Sequence, residues 1–171
     1  MKAVSIDAAP PVARPTAEAS AIGDLLYDAF YGAAIGGSVI AVFFLILDSV
    51  AGHPLFTPSL IGTVLLTGAD AGMITDVRLD MVAYFSVAHF VAFLALGAGV
   101  STMCRWTGLD KTNPVYVTGL VFLVLTGTFL VASTFLMPGI SAVMGVQWIL
   151  LANLLTAGSM GVFLHRAHQD D

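Results

Sequence analysis

The chain has 171 residues, 58% of them apolar and only 10% charged, with a mean hydropathy of +0.94. A water-soluble domain carries roughly a quarter charged residues, so this composition excludes a soluble globule and indicates an integral membrane protein. Six scattered Lys or Arg against eleven Asp or Glu leave a formal charge of −5, with no basic patch that would hold nucleic acid.

The N-terminal segment MKAVSIDAAPPVARPTAEAS is polar and rich in Pro and Ala, and lacks an apolar core directly after its basic residue. Residues 1–19 therefore read as a disordered cytoplasmic tail, and residues 20–168 as a transmembrane domain. Ala29 to Leu47 carries no formal charge over nineteen residues, the number that crosses a hydrocarbon core of roughly 30 Å, and the span extends to about residue 51. Met81 to Met103 is a second uncharged run. Thr112 to His165 is uncharged over fifty-four residues, too long for one crossing, and Met137-Pro138-Gly139 is its strong breaker. Spans three and four are then expected over about 115–137 and 140–164, as a tight hairpin. Helices satisfy their own backbone in lipid, so the expected fold is an all-α four-helix membrane bundle.

Four crossings place both termini and the loop after span two on one side, with Lys2, Arg14, Arg105, Lys111 and Arg166. The opposite side has Arg78 alone. This bias predicts cytoplasmic termini in a bacterial inner membrane, with Tyr27, Tyr31, Trp106 and Tyr116 near the cytoplasmic interface.

The connection from Asp48 to Asp80 holds the most unusual sequence. Thr57-Pro58 reads as a helix start, and the segment to Thr67 is too short to cross, so an interfacial or re-entrant helix is expected in the outer loop. A long loop of this kind reads most simply as a lid on the bundle mouth.

Few residues in the spans bear chemistry. Asp48 is the acid inside span one, on a face with Gly37, Ala41 and Phe44; it either points into the bundle or lies in water and caps the loop. His89, about nine residues into span two, is either a proton carrier or ligand, or a neutral imidazole bonded to a neighbouring helix. With His53 in the outer loop, Asp48 and His89 form a candidate ion or metal site, although no local spacing fixes its geometry. Ser133, Gln147 and Asn153 are supporting polar candidates in the spans. The lone Cys104 cannot make an intrachain disulfide or serve as a CxxC redox centre. A haem with two axial ligands would need His89 from two chains or an unusual second ligand such as methionine. No catalytic constellation is present, no cofactor is required, and the identity of any metal is left open.

Small residues mark helix contacts: Gly32, Gly36 and Gly37 in span one, Ala157 and Gly161 in span four. Such faces leave room for a membrane-protein partner or a homo-oligomer besides the lipid bilayer. The segments GHPLFTPSLIG, AHFVAFLALG and WILLANLLTAGSMGVFLH, with the LHRAH ending, resemble small four-span bacterial inner-membrane proteins of unassigned function. The resemblance implies a fold and a location, and carries over no catalytic residue. The expected role is a non-enzymatic structural or accessory component of a membrane assembly. The alternative is a small ion, proton or metal-handling protein using Asp48 and His89, and an enzyme acting on lipid or quinone is a third reading.

Overall fold

The structure is a computed structural model that describes residues 17–108 and 113–167. Among these it comprises six α-helices and one 3-10 turn: α1 (Ala17–Val50), α2 (Phe56–Thr67), the turn Ala71–Met73, α3 (Leu79–Thr107), α4 (Pro114–Phe135), α5 (Ile140–Met144) and α6 (Val146–Ala167). The long helices α1, α3, α4 and α6 are each long and apolar enough to cross a membrane. The chain is thus an all-α, multi-pass bundle with a short apolar helix between its first two spans.

The helix limits follow local chemistry. Asn113 accepts from the Val115 N–H at 3.0 Å, and Pro114, which has no N–H to lose, opens α4. Gly108, in the left-handed region at φ 66°, closes α3 by donating to the Cys104 carbonyl. Two boundaries differ from the sequence expectation. The first helix begins at Ala17, so the tail expected over 1–19 loses its last three residues to α1, while residues 1–16 lie outside the described residues. The hairpin between spans three and four has two breaks instead of one. Beyond Pro138 and Gly139, Gly145 at φ 79° and ψ 115° ends α5 after one turn, and the last span starts at Val146 instead of residue 140.

One end of the bundle, here the terminal end, carries the start of α1, the end of α6 and the end of α3 at Gly108. The other, the distal end, carries α2, the 3-10 turn and α5. α1 packs on both α3 and α6, and α6 on α4, while α3 and α4 touch more lightly. All four spans meet in one core that includes Ala33, Phe93, Val121 and Met160. Close approach is set by glycine. A Cβ on Gly97 would fall 2.9 Å from the Ala29 carbonyl oxygen across α1 and α3, and one on Gly161 would run into the Thr118 side chain across α4 and α6.

At the distal end α2 is enclosed rather than laid on the surface. Seven of the eight residues from Thr57 to Val64 are buried, and Pro58 between them is half-buried. Leu60, Ile61 and Val64 join Met137 and Ile140 in a second apolar cluster, with Phe85 and Phe129 against it. A Cβ on Gly62 would collide with the Met81 carbonyl at the start of α3. Ser59 Oγ accepts from the Arg78 N–H at 2.8 Å, tying α2 to the residue that precedes α3.

Candidate functional site

The Asp48 carboxylate lies in the last turns of α1 and is buried. Its two oxygens accept from the Thr57 backbone N–H and the Thr57 hydroxyl, each at 2.7 Å. A carboxylate is disfavoured at a helix C-terminus and favoured at an N-terminus, and Asp48 reaches from the end of α1 to the start of α2. Thr57 therefore donates to a cap rather than forming one. Leu55 precedes the helix at φ 68°, a left-handed conformation that a leucine rarely takes, and its side chain has no capping group.

Asp48 and His53 line one cleft of about 380 Å³, with Phe44, Leu47, Val50, Ala51, Phe56, Thr57, Leu60, Val143, Met144 and Trp148 as the other walls. It opens between the end of α1, the start of α2 and the α5–α6 corner. His53 is exposed and its ring lies 5.8 Å from that of Phe56.

His89 stands elsewhere. Its Nε2 lies 3.1 Å from the Gly37 carbonyl oxygen, and since a carbonyl only accepts, this nitrogen carries the proton and donates. The half-buried ring is held between Phe85 and Phe93, at centroid distances of 5.3 and 4.8 Å. Gly37 and Asp48 are eleven residues apart on α1, about 16 Å along its axis. The three members of the expected ion or metal site are thus split: Asp48 and His53 share the distal cleft, and His89 bonds to α1 about three turns away. Among the described residues no three His, Cys, Asp or Glu side chains gather as a metal-binding group.

The supporting candidates also separate. The buried Asn153 donates to Thr126 Oγ1 at 3.3 Å, linking α6 to α4. Ser133 donates to the Leu130 carbonyl of its own helix, and Gln147 is exposed beside Gly145. Of the small residues, Gly36 meets Met160 and Phe93, Gly37 meets His89, Gly32 has ordinary contact with Met160, Ala157 is fully buried and Gly161 meets Thr118.

Sequence reasoning missed a charged group at the terminal end. Asp28, 3% exposed, receives Arg105 Nη2 at 2.8 Å and the Ser101 hydroxyl at 2.7 Å on the same oxygen, joining α1 to α3. The signal was available: Asp28 directly precedes the uncharged run of span one, and Arg105 follows that of span two. Crossings in opposite directions bring those two positions to one end. A second ion pair, Arg78 with Asp80 at 2.6 Å, is exposed at the distal end, and its hydrogen bond and charge raise the pKa of the guanidinium above its ordinary value. Neither a family model, nor a curated protein, nor a solved structure matches the chain.

Proposed function

We propose that this multi-pass protein belongs to a bacterial inner membrane, with both termini cytoplasmic, and serves as a non-enzymatic structural or accessory component of a membrane assembly. One observation carries the reading: four polar side chains of the spans, including the buried Asp28, Asp48 and Asn153, are engaged in joining elements. Asp28 links α1 to α3, Asp48 links α1 to α2, His89 links α3 to α1, and Asn153 links α6 to α4. Groups held this way fix helix positions. Chemistry needs groups that converge on one point, with a nucleophile or ligand left available. The outward sides of the spans, including Leu26 and Phe30 on α1 and Leu123 and Val131 on α4, are apolar and suit lipid or the helices of a partner or second copy. The orientation follows from the five-to-one distribution of basic residues.

Native mass spectrometry after gentle extraction from the source membrane tests the role. A reproducible partner chain or homo-oligomer is the expected result. A protein that repeatedly emerges as a single chain would overturn it. The alternative of ion, proton or metal handling by Asp48 and His89 together has weaker support, because each side chain bonds to a different element.

A further inference from the structure

We propose that the distal cleft is a binding site for a quaternary ammonium group, carried by a lipophilic organic cation or by a choline-type lipid. The inference starts from charge. Asp48 is 7% exposed and its hydrogen-bond donors, the Thr57 N–H and O–H, are both neutral. Among the described residues the ion pairs are Arg78 with Asp80 and Arg105 with Asp28, and no Lys, Arg or His side chain pairs with Asp48. The start of α2 offsets only about half a charge, which leaves a buried carboxylate with net negative potential in the cleft wall.

The remaining walls select the kind of cation. Phe44, Phe56 and Trp148 present aromatic rings, Met144 a polarisable thioether, and His53 stands with them in the lining. Aromatic faces attract a cation through their quadrupole, most strongly where water is displaced, and a cleft whose wall combines aromatic residues with a carboxylate suits an ammonium without N–H groups. A primary ammonium has three donors to satisfy and would find few acceptors here. Calcium and magnesium need six or more oxygen ligands, which these carbon-rich walls do not supply. The cleft volume of about 380 Å³ falls in the range of small-molecule sites. Its surroundings add attraction, because residues 48–80 hold Asp48, Asp70, Asp76 and Asp80 against Arg78, a formal charge of −3. The cleft also lies where α1 ends and α6 begins, so both the bilayer and the aqueous side supply ligands.

The test uses the full chain in nanodiscs, with Trp106→Phe leaving Trp148 as the fluorescent reporter in the cleft wall. Benzyltrimethylammonium is titrated against neopentylbenzene, its neutral isostere, each corrected for uptake by protein-free nanodiscs. Saturable binding of the cation, about tenfold or more tighter than the isostere, is expected. Asp48→Asn, which keeps an acceptor for Thr57, should weaken the cation by a similar factor and leave the isostere unchanged. Phe56→Leu should weaken the cation alone, without touching the carboxylate. Equal affinity for the two probes, no saturable signal, or a folded Asp48→Asn protein that binds as before would overturn the proposal. The comparison of probes on the unaltered cleft decides the matter even where Asp48→Asn does not fold. Weaker cation binding in phosphatidylcholine than in phosphatidylglycerol nanodiscs, beyond the loss of surface attraction seen for Asp48→Asn, identifies a lipid head group as occupant. Equal specific binding in both identifies a free cation.

Discussion

Asp28 illustrates how one buried carboxylate organises an end of this molecule. Its partner Arg105 keeps 29% of its side-chain exposure, and the buried Arg105 Nε has no hydrogen-bond partner among the described residues. Breaking a buried pair from one side costs about 3–5 kcal/mol, and the partial exposure of Arg105 places this pair near or below the lower limit. Asp28→Leu is therefore expected to destabilise by about 2–3 kcal/mol, measured by thermal unfolding in nanodiscs, and Asp28→Leu with Arg105→Leu should recover much of the loss. A double variant as unstable as the sum of the singles would show that the pair is not coupled. His89 is a smaller contributor. His89→Phe removes one interhelical hydrogen bond and retains the aromatic packing, so a loss of only about 0.6–1 kcal/mol is expected in the same assay.

At the scale of elements, the short helix α2 depends on contacts supplied from elsewhere in the chain. Its N-terminus is capped from α1, its Ser59 holds the Arg78 backbone, and Gly62 lets it approach the Met81 carbonyl. Gly62→Ala places a methyl group against backbone, which cannot move aside as a flexible side chain would. A loss of about 1–3 kcal/mol is expected. Gly119→Ala on α4, where a Cβ meets nothing, is the control: helix propensity alone should make it neutral or stabilising by up to about 1 kcal/mol. Equal losses from the two substitutions, read as midpoints of thermal unfolding, would rule out a close α2–α3 crossing. This dependence explains why α2 was legible as a helix from Thr57-Pro58, yet not as an enclosed one. Burial on every side requires α3, α4 and α5 to arrive from other parts of the chain.

For the whole molecule, the distribution of charge makes a topological prediction that labelling can check. In a Cys104→Ser background, Met73→Cys at the distal end and Trp106→Cys at the terminal end place thiols at positions 82% and 92% exposed. A membrane-impermeant maleimide applied to intact spheroplasts should modify the first and spare the second. The reverse pattern would invert the orientation, and labelling of both would argue against four crossings.

The number, length and apolar character of the spans were legible in the sequence because bilayer thickness is a one-dimensional constraint, read by counting uncharged residues along the chain. The same holds for the breaker at Pro138-Gly139 and the helix start at Thr57-Pro58, since both effects are local to the backbone. The second break at Gly145 was not legible, because a glycine within an apolar run continues a helix as readily as it ends one. Residue pairing was decided only by the tertiary structure. Helical periodicity states which residues share a face, but not which neighbour that face meets or at what height. Asp48 consequently met Thr57 and His89 met the Gly37 carbonyl, instead of meeting each other, and Asp28 found Arg105 across seventy-seven positions of sequence. The α1–α3 partners were selected by the packing of those two spans, and the Asp48–Thr57 pair by the turn that brings α2 back against the end of α1, heights and directions that periodicity alone does not state.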